Sequence, residues 1–520
     1  MPLRNPAETW LSPGLGDTGR VLDPETAPTY GTGTVSSTRY DAAQLLIAET
    51  DEGYKDRMDT LRIAAEKLGW DIERTELAPG LSTVEVRPKE DEVSQPPDAW
   101  LLLQHARMSA GGTLRAVALD HHLDSPGIEP NPVELSHPVE LSHPVELSHP
   151  VELSHPTSTY GVPGFGGRQP VAVVGGPPPR HESVKGRRPV VAILDTGVAH
   201  HPWLSGVVES DIAAADGNPI GYKHTVDYAP GTRSKDKDES IDGALEPLLG
   251  HGTFIAGVIR QVCTDADIIS WRIVPEEGPI KESAWLKCLH QILQLVRIAV
   301  DEEEREVPQH ERKGVLIDVL SLSMGYYHES HKDALFDEIV RPLMDDFGKL
   351  GVVVVCSAGN DSTRRPSFPA AFAPWDPADE GHTHHPERYR THAKQVPLVS
   401  VGARNPNGTG AFFSNAGPWV RAWTTGAAVV STMPRRNGSL LPVAGEDVDG
   451  MRRECIDPDD FTGRFAVWSG TSFAAPNVGA QIAAALLKYF DKHGVDDRRG
   501  ARVKRGWDVV TDVAGIKPHH

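Results

Sequence analysis

The spacing of apolar positions changes along this chain and divides it into segments. Residues 1–38 carry Pro, Gly, Thr and Ser with little periodicity and read as a loosely ordered arm. From 39 to 125 the pattern tightens. Residues 42–48 form an apolar run of strand character, 54–68 have helical spacing that stops at Gly69, 81–87 read as a second strand, 98–108 as a second helix and 114–119 as a last strand. This alternation predicts a small α/β domain. Between 126 and 186 the periodicity vanishes. Pro132-Val133-Glu134-Leu135-Ser136-His137 recurs in tandem four times through His155, and a Gly/Pro-rich stretch follows. A proline in every sixth position denies a regular helix or a central strand, so the segment reads as an extended, semi-stiff linker, and the place where a maturation cut would fall.

From 187 to 490 short apolar runs alternate with longer helical patterns, which predicts a doubly wound, mostly parallel sheet flanked by helices. Val190 to Leu194 are continuously apolar and end in Asp195-Thr196-Gly197. Residues 268–274 read as the next strand and 282–304 as a long helix. Residues 318–325 and 351–360 read as two further strands, the second preceded by a helix over 334–350. Polar insertions interrupt the pattern at 375–394, with His382, His384, His385 and His392, and at 435–464. Beyond 490 the chain turns charged, with Arg498, Arg499, Arg502, Lys504 and Arg505, and reads as a solvated tail over 491–520.

The chemistry-bearing residues sit at element ends. Ser469-Gly470-Thr471-Ser472-Phe473-Ala474-Ala475-Pro476 leads into a run of small and aliphatic residues, placing Ser472 at a helix start, where unpaired backbone N–H groups favour a forming anion. Pro476 fits a first turn. Gly250-His251-Gly252-Thr253 puts an imidazole at the head of another small-residue helix, and Asp195 supplies a carboxylate. A serine hydroxyl needs an imidazole to take its proton and a carboxylate to fix that imidazole's tautomer, and these three residues meet the requirement in the order Asp, His, Ser.

On these motifs the chain resembles the subtilisin-like serine proteases (subtilases) over roughly residues 188–487, and the chain order of the three residues matches that family's template. Two more stretches strengthen the resemblance. In Gly351-Val352-Val353-Val354-Val355-Cys356-Ser357-Ala358-Gly359-Asn360 the terminal Asn corresponds to the family's oxyanion donor. In Asp318-Val319-Leu320-Ser321-Leu322-Ser323-Met324-Gly325 the backbone of Ser323, Met324 and Gly325 corresponds to the substrate-lining strand. Phe412-Phe413-Ser414-Asn415-Ala416-Gly417 resembles a further signature. The resemblance implies a subtilisin-like α/β fold and a serine endopeptidase acting on protein or peptide substrates through an acyl-enzyme. It also implies a propeptide-like role, as chaperone and intramolecular inhibitor, for residues 39–125; an unrelated adaptor domain is the alternative there. A non-catalytic binding scaffold on the same fold is the alternative for the whole chain. Tyr326 and Tyr327 stand where smaller residues are common in the family and are expected to narrow or wall the cleft.

Composition trims the remaining options. A formal net charge of −20 over 520 residues argues against nucleic acid or an anionic membrane as partner. No apolar stretch has the length of a signal peptide core or a membrane span, so the chain reads as cytoplasmic. The four cysteines are scattered and form no metal-type pair. The histidines of the repeats and of the 375–394 insertion read as incidental, and no metal site is assigned. The chemistry requires no cofactor. The acidic run 234–242 reads as a solvated loop, with a structural calcium ion left open.

Overall fold

A computed structural model describes residues 18–29, 35–49, 52–89, 96–112, 114–123, 157, 160, 164–223, 248–275, 279–329, 337–375, 392–438 and 444–518. The hexapeptide repeats, the acidic run 234–242, His382, His384 and His385 lie outside the described residues.

The N-terminal part is an antiparallel sheet with two helices. Its elements are β1 (Gly19–Leu22), β2 (Thr38–Ala48), α1 (Tyr54–Lys67), β3 (Trp70–Ala78), β4 (Leu81–Pro88), α2 (Ala99–Ser109) and β5 (Val117–Leu123). The alternation of strand side chains sorts its apolar residues onto two faces. Leu45, Ile47, Val84, Val86, Val117 and Leu119 face α1 and α2, where Leu61, Ala65, Leu102 and Leu103 complete a core. Leu46, Ala48, Ala118 and Leu123 belong instead to a second core shared with the larger domain. Both faces are therefore covered, which is why Leu45-Leu46-Ile47 is an unbroken apolar run. Three elements differ from the expectation: β3 was not legible, β5 runs three to four residues later, and β1 gives part of the supposed arm a place beside β2.

After the linker come β6 (Gln169–Pro170), β7 (Val190–Asp195), β8 (Val208–Ser210), α3 (His251–Val262), β9 (Asp267–Arg272), β10 (Ile280–Lys281), α4 (Glu282–Glu304), β11 (Val319–Leu322), α5 (Asp337–Lys349), β12 (Val353–Ser357), β13 (Val399–Arg404) and β14 (Ala422–Thr425). Then follow β15 (Val429–Thr432), β16 (Gly445–Val448), β17 (Met451–Glu454), β18 (Phe465–Trp468), α6 (Thr471–His493) and α7 (Arg499–Ala514). A seven-stranded sheet of order β14-β13-β12-β11-β7-β9-β8, paired in parallel throughout, forms the centre, as the alternation predicted. Helices α3 and α6 pack together on one face, in a core with Phe254, Phe473 and Trp468; α4 and α5 lie with Trp285, Leu289 and Phe347 in the core of the other face. The insertion over 435–464 carries the exposed β16–β17 hairpin.

The solvated tail is corrected. Residues 499–514 form α7, packed on α6, and Arg502 and Arg505 are buried. They have a reason to be inside. Asp318, at the foot of β11, lies 2.5 Å from Arg187 and 3.3 Å from Arg505, and Asp497 lies 2.6 Å from Arg187 and 2.5 Å from Arg505. Burial alone would raise the Asp318 carboxyl, but Arg187, with Arg502 and Arg505, overrides it and holds that group far below the usual range. The downstream part of the linker is likewise anchored: Gln169 and Pro170 pair with β18, and Arg180 donates to the Ala266 carbonyl at 3.1 Å.

The N-terminal sheet is joined to the larger domain by backbone pairing. β10 adds to its edge, antiparallel to β5, with Ile280 opposite Leu123 and Lys281 opposite His122. Helix α4 has no side-chain cap of its own. Asp120 from β5 supplies one, accepting from the Ser283 N–H at 2.8 Å and the Ser283 hydroxyl at 2.7 Å.

Candidate active site

Asp195 is the last residue of β7, and the turn after it is held tightly. The Thr196 N–H donates to Asp195 Oδ1 at 2.7 Å, and Thr196 Oγ1 accepts from the Gly252 N–H at 2.8 Å, which fastens the carboxylate strand to the start of α3. Gly250 precedes that helix at φ +78, a left-handed conformation where a side chain is strained, and a Cβ there would also meet the Met433 sulfur at 2.6 Å. The chain can thus turn sharply into α3 and present His251 as its first residue. His251 Nδ1 lies 2.9 and 3.0 Å from the two Asp195 oxygens. That contact assigns the Nδ1 proton and leaves Nε2 free of one. Both residues are buried, with the His251 ring against Trp468 and Phe473 at centroid distances of 5.6 and 5.4 Å.

Ser472 is the second residue of α6 and is also buried. Its hydroxyl points to the Ser323 carbonyl at 3.5 Å, and among the described residues His251 Nε2 has no hydrogen-bond partner. The structure therefore brings Asp195 onto His251 and Ser472 onto the strand at Ser323, while the hydroxyl-to-imidazole bond is not made. Such bonds are commonly long in uncomplexed sites and tighten when substrate enters.

Asn360 stands one turn beyond β12. Its Oδ1 accepts from the Thr471 N–H at 2.9 Å and from the Thr471 hydroxyl at 2.9 Å. A backbone N–H can only donate, so this contact assigns the amide orientation: oxygen toward Thr471, Nδ2 away from it. The loop is braced by Asn415, whose Oδ1 accepts from the Asp361 and Thr363 N–H groups at 3.0 and 3.2 Å and whose Nδ2 donates to the Ala358 carbonyl at 2.8 Å. Gly359 adopts φ +101, and a Cβ there would approach Asn415 Nδ2 to 2.4 Å. Thr471 and Asn415 were not singled out from the sequence as site residues, although both lie inside motifs that were.

Of the substrate-strand residues, Ser323 contacts Ser472, Met324 is fully buried, and Gly325 lies where a Cβ would meet the Phe368 carbonyl at 2.7 Å. Tyr326 exchanges backbone hydrogen bonds with Phe368, both at 2.9 Å, and its ring stacks on His121 of β5 at 4.7 Å. The Tyr327 hydroxyl donates to Asp361 at 2.5 Å and accepts from Asn415 at 2.7 Å. The two tyrosines brace the loop of Asn360 and the N-terminal sheet. All four cysteines are free, and Cys455 alone is exposed.

The subtilase family model matches residues 186–504. The chain belongs to the subtilase family. An intracellular serine protease of Paenibacillus polymyxa is 24% identical over 320 residues, covering 58% of this chain and 68% of that protein. Among solved structures, a cold adapted subtilisin-like serine proteinase aligns at 18% identity and TM-score 0.35, covering 63% of this chain and 83% of that one. A lanthipeptide protease aligns at 19% identity and TM-score 0.38, covering 62% and 80%. Family membership supports serine peptidase activity. Among the described residues no helix is long and apolar enough to cross a membrane.

Proposed function

We propose that this chain is a serine endopeptidase in which Ser472 is the nucleophile, His251 the general base and then acid, Asp195 the residue that orients His251, and Asn360 the side-chain oxyanion donor. The observation that carries the reading is the Asp195–His251 contact at 2.9 Å, a buried carboxylate fixing a buried imidazole. On substrate entry the Ser472 hydroxyl turns from Ser323 to His251 Nε2, attacks the peptide carbonyl, and passes its proton through His251 to the leaving amine. The oxyanion meets Asn360 Nδ2 and the Ser472 backbone N–H, and water then frees the acyl group. Ser323, Met324 and Gly325 pair with the substrate as an added strand. The description of the Paenibacillus polymyxa relative as an intracellular serine protease supports action inside the cell.

We further propose that residues 39–125 restrain this activity. The pairing of β5 with β10, the Asp120 cap on α4 and the seating of the linker at β18, three residues before the Ser472 motif's helix, support that reading. Labelling by a fluorophosphonate probe tests the chemistry: the wild-type chain is expected to label and Ser472→Ala not to. A folded wild-type chain that resists the probe even after release of the N-terminal region would favour the binding-scaffold reading.

A further inference from the structure

Where β5 meets the segment after the substrate strand, three side chains from two parts of the chain converge in a closed space. His121 comes from the N-terminal sheet, and His328 and Glu329 follow Tyr326, which is itself clamped to Phe368. All three are buried, and one ligating atom from each lies within 4.8 Å of the others. We propose that they form a site for a divalent transition-metal ion of zinc type, shared between the N-terminal sheet and the peptidase domain.

The arrangement around His121 is what metal-bound imidazoles require. Glu282 Oε2 lies 2.6 Å from Nδ1, which fixes the proton there and turns Nε2 toward Glu329 Oε2 at 3.1 Å. A carboxylate on the distal nitrogen is the usual means of orienting a metal-ligating histidine. Glu329 divides its oxygens, with Oε1 facing Arg107 at 3.4 Å and Oε2 facing the site. His328 approaches edge-on, its ring centroid 5.2 Å from that of His121 and its Nδ1 4.0 Å from Glu329 Oε2. Zinc bonds of about 2.0–2.2 Å place tetrahedral ligands roughly 3.4 Å apart. The His121–Glu329 separation of 3.1 Å lies near that value, His328 Nδ1 stands 4.0 Å from Glu329, and with all three ligating atoms within 4.8 Å of one another the widest gap has at most about 1.4 Å to close. Two imidazoles and one carboxylate suit zinc and its neighbours rather than calcium or magnesium, which take oxygen ligands. The rings of Tyr326 over His121 and Phe368 against His328, at 4.7 and 4.4 Å, wall the site. A proton shared between His121 and Glu329 would satisfy that pair without an ion, and the metal titration separates the two.

An ion there would tie β5 to the segment after the substrate strand and so govern how firmly the N-terminal sheet is held. This consequence rests on the restraint proposed above; the site itself does not. The test uses the full-length Ser472→Ala chain, stripped with a chelator and titrated with Zn²⁺ by calorimetry, and with Co²⁺ by visible absorption. One ion per chain is expected at this site, with affinity falling at least about tenfold in Glu282→Gln, the effect of losing an orienting carboxylate, and further in His121→Ala and His328→Gln. The repeats and the 382–392 loop offer other histidines, so binding that persists unchanged in His328→Gln and Glu282→Gln belongs to them and overturns the proposal, as does an absence of binding. Circular dichroism on each variant separates lost ligation from lost folding, and the milder Glu282→Gln keeps the result decisive if His121→Ala does not fold. Ion binding without any effect on N-terminal release would sink the ion's part in the restraint and leave the site standing.

Discussion

The Ser323 hydroxyl donates to the carbonyl of Ser472 at 3.1 Å. That carbonyl would ordinarily accept from the N–H four residues later in α6, but residue 476 is proline and has none. Pro476 thus lies in the second turn of the helix, one turn deeper than its expected place in the first, and it frees a carbonyl of the proposed nucleophile that the Ser323 hydroxyl then satisfies. One missing N–H couples the strand that would hold substrate to the residue that would attack it.

Removing the donor should therefore destabilise the chain, and restoring the helical one should repair it. Ser323→Ala is expected to cost about 1–3 kcal/mol, the range for leaving a buried acceptor unsatisfied. Adding Pro476→Ala should recover part of the loss, because residue 476 then supplies the N–H. Urea unfolding of the two single variants and the double variant measures the coupling; strictly additive effects would refute it.

On the proposed mechanism Asn360 has two separable duties, one at each end of its amide. Asn360→Asp keeps an acceptor for Thr471 but loses the Nδ2 donor, so stability should hold while turnover falls by roughly 10²–10³, the range the corresponding donor shows in subtilisin, a member of the same family. Asn360→Ala should lose both. Steady-state kinetics beside thermal unfolding distinguishes them, and near-normal turnover in Asn360→Asp would remove the residue from the oxyanion role.

The buried group at Asp318 predicts a pH dependence with a definite sign. Its carboxyl is held below the value it has in an unfolded chain, so the stability it confers is full above about pH 4 and is lost as pH falls further toward the folded value. Asp318→Asn leaves Arg187, Arg502 and Arg505 without that charge and is expected to cost about 3–5 kcal/mol at neutral pH. Its stability should then fall less steeply on acidification. Unfolding measured from pH 7 to pH 3 checks both the offset and the slope.

Restraint by the N-terminal region predicts that a version of the chain beginning at Gly186 hydrolyses peptides faster than the full-length chain. Asp120→Ala, which strips the cap from α4, should move the full-length chain part of the way, since losing such a cap costs about 0.5–2 kcal/mol. Equal rates in all three would argue against inhibition, although a folding role would survive.

Much of this was legible in residues read locally. The apolar run before Asp195, the small-residue helices opening at His251 and Ser472 and the strand leading to Asn360 each state in a few residues where an element begins or ends, and the helix over 282–304 matches α4 at both ends. The charged stretch after 490 misled because charge alone does not reveal partners: Arg505 is inside because Asp318 and Asp497 meet it, and Arg502 because the Leu350 and Ile317 carbonyls accept from it beside the same two carboxylates. Likewise, the unbroken run at Leu45-Leu46-Ile47 indicates a strand without saying what covers its second face.

The sequence by itself determined most elements of the central sheet, the order of the chemical residues and the family, because backbone propensity, burial pattern and motif act over a handful of neighbouring positions. Tertiary structure alone decided that Asp120 caps a helix 163 residues away, that Ser323 answers for Pro476, and that His121 meets His328 and Glu329. Those contacts depend on how finished elements pack against one another, and no local run of residues encodes the angle and register at which two surfaces dock.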